Sequence, residues 1–185
     1  AWRRAGRLGP RRWIAGGGAH PRAVVGHLLG GLELATQVGD PPDTVVLPLG
    51  TGGTAAGVAL AIAVLRWPTR VVAVRVAPRI VANRPRTIWL AERARRLLAH
   101  RGIRLAAGAS LPFPLDVVDG VGAGYGQPSP AGEAASRLAA ASGLALDPTY
   151  GAKAFAYLLR APGRLRRVVF WHTFAAPPTL PESAA

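Results

Sequence analysis

The stretch of this 185-residue sequence best suited to bind a phosphate group is a run of glycines and threonines, Gly50, Thr51, Gly52, Gly53 and Thr54. We call residues 50–54 the glycine turn. It lies between the apolar runs 44–49 and 53–66, a pattern typical of a strand that turns into a helix. Glycines let the backbone curl with its amides exposed, amides at a helix start attract anions, and threonine hydroxyls add donors. The sequence therefore predicts phosphate binding, the alternative being that the glycines only allow close packing of strand and helix.

The same turn satisfies G-x-G-x-x-A, a weak dinucleotide-binding fingerprint. Such a site needs an acidic residue about 20 residues further on, where it binds the ribose. No Asp or Glu occurs between residues 44 and 91, which argues against NAD, whereas Arg75 or Arg79 could bind the 2′-phosphate of NADP. A Walker loop is excluded because no Gly-Lys-Ser/Thr follows. NADP stays open as an alternative ligand.

Composition narrows the remaining function classes. The 23 basic residues outnumber the 9 acidic ones, so the net charge is +14. A nucleic-acid partner is compatible with this charge, but the arginines are scattered and not interleaved with aromatic residues, so we favour solvated helix faces. The absence of cysteine excludes disulfides and thiolate chemistry, and no apolar run reaches the roughly 18 residues of a membrane span. His20, His27 and His172 lack partners at metal-binding spacing, so no metal is predicted, and we expect a cytoplasmic protein.

Short β-branched runs alternate with longer helical stretches along the chain. This alternation predicts one α/β domain, a three-layer structure with a mostly parallel sheet and helices on both faces. The predicted strands span residues 12–18 (running into a turn of glycines), 44–49, 70–76, 115–120 and 166–173. The predicted helices span residues 21–38, 53–66, 84–102, 129–143 (capped by Ser129) and 151–160. Residues 174–185 are expected to form a loose Pro/Ala-rich tail.

Four segments, in this order, resemble one family of enzymes. They are RWIAGGGAHPRAVVGHLLGGLEL (12–34), LPLGTGGTAAGVALA (47–61), the stretch 119–159 that contains GYG and LDPTYGAKA, and VVFWHT (168–173). Together they resemble the pyridoxal-phosphate-dependent family of D-cysteine desulfhydrase and 1-aminocyclopropane-1-carboxylate deaminase. That family has the tryptophan-synthase-β-like fold, known as fold type II.

The resemblance implies a role for several residues. The glycine turn would bind the phosphate of pyridoxal 5′-phosphate, Tyr125 and Tyr150 would approach the substrate, and Thr173 would meet the pyridine nitrogen. A hydroxyl at that nitrogen makes the ring a weaker electron sink than a carboxylate would. The deaminase branch has Glu after the second tyrosine, and Gly151 at that position favours the desulfhydrase-like branch.

The resemblance also implies that this is the C-terminal portion of a longer enzyme, with residues 1–173 forming part of its large domain. The Schiff-base lysine and the Ser-Asn stretch of the family belong to the N-terminal half, and Lys153 matches an ordinary helix residue. We expect the intact parent to be a homodimer that releases an α-keto acid and ammonia from a small amino acid. The chain alone is expected to be inactive, without a stable cofactor adduct on Lys153. Phe174 replaces a family glycine, which predicts an altered substrate preference.

Overall fold

The fold was analysed in a computed structural model that describes residues 16–105, 113–120, 122, 124–160 and 166–173. Its strands are β1 (Thr44–Leu49), β2 (Arg70–Arg75), β3 (Leu115–Asp119) and β4 (Val168–Phe170). Its helices are α1 (Pro21–Gln37), α2 (Gly53–Leu65), α3 (Arg84–Ala99), α4 (Pro130–Ala140) and α5 (Gly151–Arg160). The four strands are parallel and follow the order β3-β2-β1-β4. The predicted α/β class with a parallel sheet is therefore confirmed.

Most of the predicted element boundaries agree with the structure. The bounds of β1 and α5 are those predicted, and the side chain of Ser129 accepts a hydrogen bond from the Gly132 amide at the start of α4. Helices α3 and α4 each end three residues earlier than predicted because each is followed by a turn that ends at a left-handed glycine, Gly102 (φ 79°) or Gly143 (φ 75°). Strand β4 is shorter than predicted because it pairs only with the first half of β1.

The first and last predicted segments have a different outcome. Residues 16–18, predicted as a turn of glycines, form a short 3-10 turn in which Gly17 and Gly18 have left-handed conformations (φ 63° and 66°). Residues 12–15 of the predicted first strand, the tail 174–185 and Phe174 lie outside the described residues. In the part of the chain that is described, no helix is long and apolar enough to cross a membrane.

The central strand β1 is buried along its whole length, and its two faces contact different layers. Val45, Leu47 and Leu49 belong to a large apolar cluster with α1, α2 and α3, whereas Val46 belongs to a smaller cluster that includes Ala154 of α5. Residues that alternate along a strand point to opposite faces, so helices cover both sides of the sheet. Helix α2 has no polar face, as expected for a helix enclosed between the sheet and other helices.

Helices α1 and α2 pack closely because glycines stand at their contacts. A Cβ at Gly31 would collide with the Ala61 side chain, and a Cβ at Gly57 would collide with His27. This close approach fixes the beginning of α2, and with it the glycine turn, against α1.

Candidate functional site

A cavity of about 310 Å³ lies beyond the carboxyl end of β1. This is the edge of a parallel sheet at which α/β proteins commonly bind ligands. Its lining includes all eight residues that the sequence analysis selected: Gly50, Thr51, Gly52, Gly53, Thr54, Tyr125, Tyr150 and Thr173. The chain therefore brings together residues up to 123 positions apart, while the role of each residue stays a prediction.

The glycine turn lines this cavity at the start of α2. Gly52 is the N-cap of α2 and has a left-handed conformation (φ 95°), and a Cβ there would lie 2.9 Å from Oγ1 of Thr87. The first hydrogen bond of α2 runs from the Ala56 amide to the Gly52 carbonyl at 2.9 Å. Among the described residues, none accepts a hydrogen bond from the amides of residues 53–55, which is the usual state of a helix's first turn. These amides and the helix dipole suit an anion.

The two threonine hydroxyls of the turn already have protein partners. Oγ1 of Thr51 donates to the carbonyl of Gly17 at 3.1 Å, so its proton is already bound by a protein acceptor. Oγ1 of Thr54 lies 3.3 Å from Nε2 of His27, and the tautomer of the imidazole decides which atom donates. Burial lowers the pKa of His27, which favours its neutral form. If Nε2 carries the proton, the Thr54 hydroxyl can donate into the cavity.

Tyr125 and Tyr150 form a hydrogen-bonded pair, which we call the tyrosine pair. Their hydroxyl oxygens are 2.6 Å apart, and their rings meet edge to face with centroids separated by 6.1 Å. Burial, followed by the hydrogen bond with Tyr125, raises the pKa of Tyr150 to about 12. Tyr150 therefore holds its proton near neutral pH, and the short contact allows a proton to pass between the two hydroxyl oxygens. The tyrosine pair lies close to the glycine turn: a Cβ at Gly50 would lie 3.2 Å from the Tyr150 ring.

A family model described as pyridoxal-phosphate-dependent enzyme matches residues 3–173, nearly the whole chain. The chain belongs to this family. The predicted family and its fold type are thus confirmed, and so is pyridoxal phosphate as the cofactor on which the family depends.

Individual members of this pyridoxal-phosphate-dependent family are similar over most of the chain. Nocardicin C-9′ epimerase of Nocardia uniformis subsp. tsuyamanensis is 42% identical over 161 residues, which are 85% of this chain and 48% of that protein. D-cysteine desulfhydrase of Salmonella paratyphi C is 31% identical over 169 residues, 87% of this chain and 49% of that protein. The solved structure of an ACC deaminase homologue superposes with a TM-score of 0.69 at 25% identity, covering 84% of this chain and 46% of that one. The chain spans about half the length of these relatives.

In this member of the family, Asp147 anchors the backbone at Tyr150. The side chain of Asp147 is buried and accepts hydrogen bonds from the amides of Thr149 at 3.0 Å, Tyr150 at 2.7 Å and Gly151 at 2.7 Å. These are the amides that the start of α5 would otherwise leave unpaired. The sequence analysis missed this role, although an Asp-Pro pair just before a helix is a recognisable signal for a turn that caps it.

Thr173 lines the cavity just beyond β4, and its predicted contact with the pyridine nitrogen stays a prediction. His172 stacks on Phe170, and its Nε2 has no hydrogen-bond partner among the described residues. Gly151 is tightly enclosed, since a Cβ there would lie 3.0 Å from Oδ2 of Asp147. A larger residue after Tyr150, such as the glutamate of the deaminase branch, would therefore require Asp147 to shift.

The residues considered for NADP or metal binding form other contacts in the structure. Arg75 and Arg79, the two candidates for an NADP phosphate, both form ion pairs with Asp119, at 3.2 and 2.7 Å. His20 lies on the surface, where its Nδ1 accepts from the Arg22 amide and caps α1. The described residues contain no cluster of three potential metal ligands. The family match decides the cofactor in favour of pyridoxal phosphate over NADP.

Proposed function

We propose that the cavity holds the phosphate of pyridoxal 5′-phosphate at the glycine turn and exposes the bound substrate to the tyrosine pair. The observation that carries this proposal is that one cavity unites the turn, the pair and Thr173. The residues fit the cofactor, because the first turn of α2 leaves amides without protein partners beside the cavity, and such amides bind phosphate groups. When bound, the cofactor supplies an electron-withdrawing ring that stabilises negative charge at the Cα atom of an amino acid.

The tyrosine pair would hold and move a proton beside that carbon. The hydroxyl of Tyr150, which is neutral near pH 7, would exchange a proton with the substrate and with the hydroxyl of Tyr125. Thr173 would contact the pyridine nitrogen through a neutral hydroxyl. We propose that the intact protein is a lyase or deaminase similar to D-cysteine desulfhydrase, which releases an α-keto acid and ammonia from a small amino acid.

A second candidate reaction is epimerisation at the substrate's Cα atom. The observation that favours it is the 42% identity to an epimerase, against 31% to the desulfhydrase. Both reactions begin with removal of the Cα proton and differ in its return. Product analysis on the full-length protein separates them, because a lyase yields keto acid and ammonia whereas an epimerase yields the inverted amino acid.

The cofactor proposal can be tested on this chain with pyridoxine 5′-phosphate, which lacks the aldehyde and so cannot react with amines. We expect equilibrium dialysis to show binding, competition by inorganic phosphate, and at least roughly tenfold weaker binding of pyridoxine, which lacks the phosphate. Equal affinity for pyridoxine, or tighter binding of NADPH, would contradict the proposal.

We also propose that residues 1–173 form part of the large domain of a cytoplasmic homodimer. The family match over residues 3–173 and the coverage of about half of each relative support the domain assignment, while the dimer and the location follow from the family resemblance alone. Light scattering on the full-length protein tests the dimer, and cell fractionation tests the location.

A further inference from the structure

Lys153, the only lysine of the chain, is 3% exposed in the first turn of α5. Burial lowers the pKa of its amine, because the charged form loses hydration. The positive end of the helix dipole lies at the same turn and also disfavours a cation. A lysine in this place opposes stability unless its amine makes specific contacts.

One such contact joins α5 to the backbone beside Tyr125. Nζ of Lys153 donates a hydrogen bond of 2.7 Å to the carbonyl oxygen of Gly124, which is 29 residues earlier in the sequence. Gly124 has φ 150°, a conformation that favours glycine, and it immediately precedes Tyr125. The helix that begins one residue after Tyr150 therefore also holds the segment that carries the other tyrosine.

Tyr125 needs such support because packing fixes little of it. The residue is 52% exposed, and its hydroxyl bonds to that of Tyr150. An exposed side chain held by one hydrogen bond and one ring contact, both with the same residue, depends on the position of its own backbone. For Tyr125 that backbone is the segment tied to Lys153.

We propose that Lys153 is a positioning residue, which keeps Tyr125 in contact with Tyr150 by binding the Gly124 carbonyl. The inference rests on the proposed function of the tyrosine pair. Helix α5 thus supports both tyrosines: Tyr150 through the chain itself, and Tyr125 through the lysine. Asp147 holds Tyr150 independently, so loss of the amine should release Tyr125 alone.

The test replaces the amine with an apolar side chain of similar length, Lys153→Met. The chain has a third tyrosine, Tyr157, which is replaced by phenylalanine in all variants. Labelling with 3-fluorotyrosine then gives fluorine NMR signals from the tyrosine pair alone. We expect the Tyr125 signal to move towards its unfolded position and the ionisation constant of Tyr150 to rise about tenfold, because its hydrogen bond is lost. Arg160→Met is the matched control, since it removes an exposed cation from the same helix.

The expected result separates positioning from a structural role. A merely structural lysine would lower the midpoint of urea unfolding on substitution and leave both tyrosine signals of the folded protein unchanged, and that outcome would overturn the proposal. We expect the midpoint to stay close to that of the wild type, since methionine has a similar volume and replaces a buried charge without loss of packing. The tyrosine signals of the folded protein should change.

A second measurement uses the wild-type chain, in case Lys153→Met does not fold. Labelling lysine with nitrogen-15 at Nζ gives one signal, because the chain has one lysine. We expect slow exchange of its protons with water, and fast exchange would contradict the tether. Both measurements are made without cofactor, so failure of pyridoxine 5′-phosphate to bind would count against the proposed function and not against this inference.

Discussion

The two sides of the cavity are built from different parts of the chain. On one side, the glycine turn offers backbone amides from consecutive residues, positioned by the close packing of α1, α2 and α3. On the other side, the tyrosine pair consists of two side chains that are 25 residues apart and that depend on the buried polar groups of Asp147 and Lys153.

This difference has a physical consequence. The turn is part of the packed core, so a change there should weaken phosphate binding and stability together. The tyrosine pair lies at the edge of the core, so its hydroxyl contact can be broken while the cradle persists. Substitutions on the two sides should therefore have distinguishable effects.

The largest effect is expected from Gly52→Ala. The left-handed conformation and the contact with Thr87 leave no room for a Cβ, so we expect a loss of about 1–3 kcal/mol in the free energy of unfolding. Phosphate affinity should fall more than tenfold, because the amides of the turn are displaced. Urea unfolding and equilibrium dialysis measure the two quantities.

Gly26→Ala is the matched control for this substitution. Gly26 lies inside α1, and a Cβ there meets nothing within 4 Å. Alanine should stabilise this helix by roughly 0.5–1 kcal/mol. If Gly52→Ala behaves like Gly26→Ala, the turn is not under the constraint that its geometry indicates.

The second largest effect is expected from Asp147→Ala. Three amides at the start of α5 lose their acceptor, which should lower the free energy of unfolding by about 2 kcal/mol. Tyr150 loses its anchor, while the glycine turn keeps its contacts, so phosphate affinity should change far less than in Gly52→Ala. Asp147→Asn keeps one acceptor oxygen and should fall between the wild type and Asp147→Ala. An equal loss of phosphate affinity in Asp147→Ala and Gly52→Ala would show that the two sides are not separable.

The sequence predicted the turn side of the site more completely than the tyrosine side. Glycines between a strand and a helix form a local pattern, and the bounds of β1 and the start of α2 agree with the prediction. The tyrosines were selected through a family resemblance, because no local pattern distinguishes them from packing residues. Asp147 caps α5 through local contacts that its Asp-Pro pair could have signalled, whereas Lys153 acquires its role only when distant segments meet, which no spacing in the sequence reveals.

The hydrogen-bond partners of the two threonine hydroxyls in the glycine turn could not be predicted either, because they also come from a distant segment. Thr51 and Thr54 were predicted as donors to a phosphate, but their contacts with Gly17 and His27 depend on how residues 17–27 pack beside the turn. Gly17 has φ 63°, and a Cβ there would lie 2.6 Å from Oγ1 of Thr51. A tertiary contact therefore sets the direction of the Thr51 hydroxyl, which could not be predicted from the sequence.

A smaller effect on stability is expected from Tyr125→Phe. Removing an exposed hydroxyl should change the free energy of unfolding by less than about 0.5 kcal/mol. The pKa of Tyr150 should fall from about 12, yet stay above its ordinary value of 10.0, because burial is the larger cause of the shift and remains. Ultraviolet titration in a Tyr157→Phe background measures this pKa. An unchanged value would show that the two hydroxyls do not interact in solution.

The pH dependence of stability should follow from the same shift. The fold favours neutral Tyr150, so the unfolded chain ionises first as the pH rises. Stability should therefore decline above pH 10 and go on declining until Tyr150 itself ionises near pH 12. In Tyr125→Phe the decline should end at lower pH, which unfolding curves measured across this range would reveal.

The smallest effect is expected from His27, which lies behind the turn and bonds to Thr54. Burial lowers its pKa, so the unfolded chain takes up a proton first as the pH falls below 6.5. The wild type should lose a small part of its stability below that pH, and His27→Gln should not, whereas the exposed control His100→Gln should behave as the wild type. Phosphate dialysis on His27→Gln then sharpens the comparison between the two sides. If backbone amides carry the binding, the affinity falls much less than in Gly52→Ala, whereas a comparable fall would assign the binding to the Thr54 hydroxyl and its imidazole partner.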